Sequence, residues 1–321
     1  MSRSRRTALA EEVLALGTED WTDPGMFYSL AAMRTSLTDP RDRQMLAYGL
    51  AVELLTRGLV VAGDADNDGF HPWDLGLGET IGRVITEWFA WLSEKRRHPM
   101  PGDLMWFDNT TAGLEIAAAV LAGEGWFPDQ DSPGKWVRTD GRWRLPPATQ
   151  QGTTGAERER LAESGWFPDP DRPGKWIGEQ QPETATERDR RAPRHAKAIT
   201  GVRTPIEEVL TRCTAGPVSA ADLETVADTH TLLTDPLEQR MFAIGLAIEV
   251  LLQGLVEVGD FDVDGFGPWN IPVADAIGRI ATVWGTEPTA ARAPTATSDG
   301  IWFTNTEAGD ELAAAVVDRE G

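Results

Sequence analysis

The chain has 321 residues, 51 acidic and 30 basic side chains, a formal net charge of −21, one Cys, and 13 Trp against 2 Tyr. One Cys excludes a disulfide framework and a Cys-based zinc site, and the acidity argues against a general nucleic-acid binder, which needs a local excess of Lys and Arg. No apolar run reaches the length of a membrane span, and the best stretch, 46–63, is interrupted by Glu53 and Arg57.

The basic start MSRSRR runs into TALAEEVLALG, whose two Glu break the apolar core a signal peptide requires. The expectation is a cytoplasmic protein without membrane insertion. Two domains fit the length.

An internal duplication organises the rest. LTDPRDRQMLAYGLAVELLTRGLVVAGDADNDGFHPW begins at Leu37 and LTDPLEQRMFAIGLAIEVLLQGLVEVGDFDVDGFGPW at Leu233, an offset of 196. The offset holds without a gap from Glu11/Glu207 to Gly125/Gly321, with 49 identities over 115 positions, too many for composition bias. Residues 11–125 carry 19 acids and 8 bases, and 207–321 carry 20 and 5, whereas 126–206 carry 12 and 14. The acidity therefore belongs to the repeats.

In chain order, 11–17 and 24–36 (with 205–213 and 220–232) read as helices. Asp39-Pro40 and Asp235-Pro236 read as helix starts, since Asp caps free amides and Pro at the first helical position loses no hydrogen bond. Asp42 and Glu238 stand where a capping box would place its acid. The helix that follows is apolar nearly all round (Met45, Leu46, Tyr48, Leu50, Leu54, Leu55), which marks it as central, and Gly58 and Gly254 end it.

Residues 59–61 and 255–257 read as a short strand, followed by a turn-rich loop. Ile81, Val84, Ile85 and Trp88, matched by Ile277, Ile280, Ala281 and Trp284, have the spacing of an amphipathic helix. Residues 105–107 and 301–303 read as a second strand, and Asn109-Thr110 or Asn305-Thr306 opens an Ala-rich helix. The expected fold class is mainly α (α+β): tandem duplicated α-rich domains, each with a short two-stranded ribbon. The expected organisation is a tail at 1–10, repeats at 11–124 and 207–321, Trp-rich modules at 125–145 and 161–178, and linkers at 146–160 and 179–206.

A helix ending in GLV, a strand, and a later strand running into WFxNTxAGxE resemble the winged-helix domains of bacterial regulators. The resemblance covers half of each unit and implies a winged-helix-like topology. The chain departs from that family in replacing the basic wing by a helix. Arg57 is the one base on the helix before the first strand near its end, and copy two has none there.

LAGEGWFPDQDSPGKWVRTDGRWR at Leu121 and LAESGWFPDPDRPGKW at Leu161 form a smaller duplication. Gly125, Trp126, Pro128, Asp129, Gly134, Asp140, Gly141 and Trp143 resemble the Trp-rich GWYPDP…WDGxxW module, an actinobacterial domain of unknown function. Gln130 and Thr139 depart from its pattern, and the second copy lacks the terminal DGxxW. The resemblance implies an accessory binding module, with Trp126, Trp136, Trp143, Trp166 and Trp176 as candidate partner-binding residues or as staples of a small hairpin.

Asp64, Asp66 and Asp68, and Asp260, Asp262 and Asp264, alternate before Gly69 and Gly265 as in the opening of a calcium loop. Position twelve is Leu75 or Ile271 where a bidentate Glu is needed, so an ordinary turn competes with a cation site. Arg83 and Arg279 are the shared base of the amphipathic helix, suited to a carboxylate within the unit or an anionic ligand. Trp73, Trp88 and Trp106, with Trp269, Trp284 and Trp302, read as core. His71 faces Gly267 across the repeats and Cys213 faces Gly17, and no nucleophile motif, Walker loop or dinucleotide fingerprint occurs.

The sequence thus points to a non-enzymatic protein-binding adaptor with a basic protein partner and no cofactor. The alternatives are a winged-helix-like transcriptional regulator and a calcium-responsive protein.

Overall fold

The computed structural model describes residues 8–18, 21–66, 68–93, 105–123, 203–285 and 300–320, with five short strands between 126 and 178. Repeat one runs α1 (Leu9–Leu16), α2 (Pro24–Arg34), α3 (Pro40–Thr56), β1 (Val60–Asp66), β2 (Gly69–Pro72), α4 (Leu77–Ser93), β3 (Trp106–Asn109) and α5 (Thr111–Gly123). The connector contributes β4 (Trp126–Pro128), β5 (Trp136–Arg138), β6 (Trp143–Arg144), β7 (Trp166–Pro168) and β8 (Trp176–Gly178). Repeat two runs α6 (Pro205–Cys213), β9 (Val218–Ser219), α7 (Ala220–His230), α8 (Pro236–Leu252), β10 (Val256–Asp262), β11 (Gly265–Pro268), α9 (Val273–Gly285), β12 (Trp302–Asn305) and α10 (Glu307–Glu320). The described residues are mainly helical with small antiparallel sheets, and none of their helices is long and apolar enough to cross a membrane.

Local chemistry sets the ends of these elements. Asp39 and Asp235 accept hydrogen bonds from the amides of Arg41 and Leu237, at 2.7 and 2.8 Å. Helices α3 and α8 end in matching Schellman turns. Gly58 and Gly254 take φ near +62° and +66°, and the amides of Leu59 and Leu255 reach back to the carbonyls of Leu54 and Val250. Helix α6 spans Pro205–Cys213, the helix expected there, and it starts where Thr204 and Glu207 cap each other's amides, so the linker expected at 179–206 ends before it. Helix α1 starts at Leu9, inside the stretch read as a tail.

The expected two-stranded ribbon is a larger sheet. The two anticipated strands do pair, Val60 opposite Asn109 and Gly63 opposite Trp106. The turn-rich loop then extends β1 to Asp66 and folds back as β2, with Asp66 opposite Gly69. The reason is the Asp-Gly at the turn: Gly69 sits at φ +128°, which supplies the reversal of a tight hairpin. The sheet orders are β2-β1-β3 and β11-β10-β12-β9, and in repeat one an isolated bridge from Thr22 to Phe107 stands where β9 pairs with β12.

Both repeats lie in one compact unit, and connector residues 128–202 form another. A single apolar core runs through both repeats. Its centre is the crossing of α3 and α8, where residues 44–55 and 240–251 are buried without interruption. Backbone contact makes this crossing close. A methyl group at Gly49 would collide with the Met241 carbonyl oxygen, and one at Gly245 with the Met45 carbonyl oxygen. The two collisions exchange under the 196-residue offset, the signature of a local two-fold. Helices α4 and α9 repeat the pattern, with Gly82 against the Ala274 carbonyl and Gly278 against that of Gly78. The all-round apolar helices are therefore central to a fused pair.

Candidate functional site

The six hairpin aspartates are exposed and do not converge. Asp64 and Asp66 lie two residues apart on an extended strand, about 7 Å along it, so they cannot wrap a cation as a loop would. Asp66 and Asp262 instead accept from the amides of Asp68 and Asp264, both at 2.8 Å, which closes each turn. His71 Nε2 lies 3.1 Å from Asp66, and backbone and histidine contacts hold that carboxyl below its ordinary range. Among the described residues no group of three or more His, Cys, Asp or Glu is placed to hold a metal ion. The segments that carry Asp64, Asp66 and Asp68, and Asp260, Asp262 and Asp264, expected as cation loops or turns, form β-hairpins.

The shared arginines explain part of the hairpin. Arg83 lies 3.8 Å from the Trp73 ring centre, donates to Glu87 at 2.7 Å and stands 3.9 Å from Asp64. Arg279 lies 3.9 Å from the Trp269 ring and 3.5 Å from Asp260. In both repeats the arginine is thus held between an indole face and a hairpin carboxylate. Next to each stack the chain exposes apolar residues at equivalent positions: Leu75 and Leu77, Ile271 and Val273.

The Trp expectations divide. Trp88 and Trp284 are core, whereas Trp73, Trp106, Trp269 and Trp302 are half-buried. In the connector β4-β5-β6 form three strands and β7-β8 two, with Val137 opposite Trp143 and Phe167 opposite Ile177. The side chains of Trp126, Trp136, Trp143, Trp166 and Trp176 lie outside the described residues, as do His98 and His195.

Sequence reasoning missed the polar groups of the helix crossing. A cavity of about 570 Å³ opens between α2, α3, α4 and the end of α8, and Arg41, Gln44, Tyr48 and Glu249 are among the residues that line it. Burial raises the Glu249 carboxyl, opposed by the Gln253 amide at 2.5 Å and by Arg41. Burial also raises the Tyr48 hydroxyl, Glu249 adds to the effect, and a hydrogen bond with the Gln44 side chain opposes it. The equivalent carboxyl, Glu53, is raised by burial and pulled back by Arg57, 3.6 Å away, and by Arg240. A Gln, an Arg and two Glu inside otherwise apolar helices were the available signal.

Cys213 is buried in the core, and burial pushes its thiol up to about 12, so it stays protonated at neutral pH. No protein-family description, curated protein or solved structure matches this chain.

Proposed function

We propose that this chain is a non-enzymatic binding protein, an adaptor that presents two acidic hairpins from one fused body to a basic protein partner. The observation that carries the reading is the repeated surface: exposed hairpin aspartates beside exposed apolar residues, at equivalent positions in both repeats. Charge of this kind steers a partner's approach, and apolar residues beside it supply area to bury. The Trp-rich connector, by its resemblance to an accessory module, would add a second contact.

The test is affinity capture from the native host at two salt concentrations. The bait is wild type or a variant with Asp64, Asp66, Asp260 and Asp262 changed to Asn. The expected result is a basic protein retained by wild type, released by salt and lost to the variant. An identical captured set from both baits would contradict the proposal.

The strand order favours a second reading of origin. In repeat two the chain order α6-β9-α7-α8-β10, with β12 later, and the sheet order β9-β12-β10 are those of the helices and strands of a winged-helix unit. A DNA-reading unit would expose the helix before its hairpin to the major groove. Here α3 and α8 occupy that place and are buried against each other. A winged-helix ancestry would therefore serve association between units, which leaves a regulator acting through protein contacts as the alternative.

A further inference from the structure

Each sheet has a second face, turned away from the core, and the strand register says what stands on it. In repeat one Phe107 enters the core opposite Ala62, so Trp106 and Asp108 point the other way, opposite Gly63 and Val61. Phe70, opposite Ala65, joins them, and its ring lies over Gly63, where a methyl group would meet it at 2.8 Å. Trp21 packs beside both rings, its centre 6.1 Å from that of Phe70 and 6.4 Å from that of Trp106. Repeat two builds the same face from Gly259, Phe266 and Trp302, and adds Phe261, 5.1 Å from Trp302. Phe261 is 37 % exposed and the other rings are half-buried.

One cross-strand pair beside the rings carries a carboxylate in both repeats. It is Val61–Asp108 in repeat one and Glu257–Thr304 in repeat two. The acid stands on different strands and at the same place on the face. Burial raises the Asp108 carboxyl, and what opposes the rise is the amide of Asn109, not a cation. Aromatic rings beside a carboxylate suit a guanidinium, which spreads its charge over a plane and is weakly hydrated. The protein makes such a contact itself: Arg83 and Arg279 lie 3.8 and 3.9 Å from the rings of Trp73 and Trp269, each beside a hairpin carboxylate.

We propose that this face of each sheet binds an arginine side chain of the basic partner, stacked on Trp106 or Trp302 and paired with Asp108 or Glu257. The inference rests on the reading of a basic partner and names what is recognised. Ring and acid are two residues apart on one strand in repeat one and diagonal across two strands in repeat two, about 7 Å in each case, a span one arginine covers. Lysine fits less well, because its compact ammonium is strongly hydrated and has no planar face to stack.

A capped peptide of alternating glycine and arginine, and its lysine counterpart, test this on the full chain. The readout is the indole N–H signals of Trp106 and Trp302 in heteronuclear NMR spectra. The arginine peptide should shift both signals and bind at least about threefold more tightly than the lysine peptide. Asp108→Asn should weaken the response at Trp106 about fivefold and leave Trp302 unchanged, and Glu257→Gln should do the reverse. Both substitutions are on the face away from the core, so thermal unfolding of both variants should match wild type. Equal affinity for the two peptides would overturn the inference. So would unmoved Trp106 and Trp302 signals, or an unchanged response in both variants. If the peptides then still bind, and are lost when Asp64, Asp66, Asp260 and Asp262 are changed to Asn, the acidic-hairpin reading stands without the inference. If neither peptide binds at millimolar concentration, both fall.

Discussion

The two ends of the α3–α8 crossing differ although their backbones are equivalent. At one end Glu53 lies between Arg57 and Arg240, and the Trp284 indole donates to Glu224. At the other, Glu249 meets Gln253 and Arg41, and the neutral side chains of Gln44 and Tyr48 line a cavity beside it. The glycines that make the crossing are the same in both repeats. The shared residues therefore hold the body together, and the differing ones give one end an arginine beside its buried carboxyl and the other a glutamine and a tyrosine.

The largest effect should come from the shared part. Gly49→Ala puts a methyl group where the Met241 carbonyl stands, and α3 and α8 must move apart. Overpacking of this kind costs about 3 kcal/mol, and thermal unfolding should start about 10 °C lower. Gly245→Ala should cost the same, since the contact is reciprocal. Unequal losses would break the equivalence.

Next comes the arginine end. Arg240→Gln copies the cavity end and leaves Glu53 with Arg57 alone. The Glu53 carboxyl should rise further, and denaturant titration at neutral pH should show a loss of about 1–3 kcal/mol, since a buried charge has lost a partner. The loss should shrink below pH 4.5, where Glu53 is protonated in the folded and unfolded states alike.

A smaller, pH-dependent effect belongs to Asp42, in the first turn of α3. Burial first, and Asp39 second, raise its carboxyl from 3.8 to about 6. The folded state holds this proton more firmly than the unfolded chain does. Stability from this group is therefore present below pH 3.8 and lost as pH rises to about 6. Asp42→Asn should be more stable than wild type at pH 7 and indistinguishable at pH 3.5.

The smallest effects belong to the surface. Arg83→Ala and Arg279→Ala should each cost under about 1 kcal/mol, because the indole stacks and carboxylate pairs are half-exposed. Calcium at millimolar concentration should leave Trp emission unchanged, since the hairpin carboxylates do not converge.

Much of the fold was legible where a residue's local chemistry decides the outcome. Asp39-Pro40 and Gly58 marked both ends of α3, and Ile81, Val84, Ile85 and Trp88 marked the buried face of α4. Two signals had competing meanings. The run GDADNDG reads equally as a cation loop and as a hairpin, and the hairpin forms because β1 already pairs with β3 and continues. The all-round apolar helix announced burial without naming what buries it, because Gly49 and Gly245 show their purpose only when the helices cross. The cavity was illegible for the same reason. Gln44 and Tyr48 come from one repeat and Glu249 from the other, 201 residues beyond Tyr48.

The central claim is that the two repeats are one cooperative body. Native-state hydrogen exchange of wild type and Gly49→Ala, read separately on α3 and α8, tests it most directly. The account predicts that the substitution in repeat one speeds exchange in α3 and α8 by the same factor, because neither helix opens without the other. Faster exchange confined to α3, with the α8 amides as protected as in wild type, would contradict it.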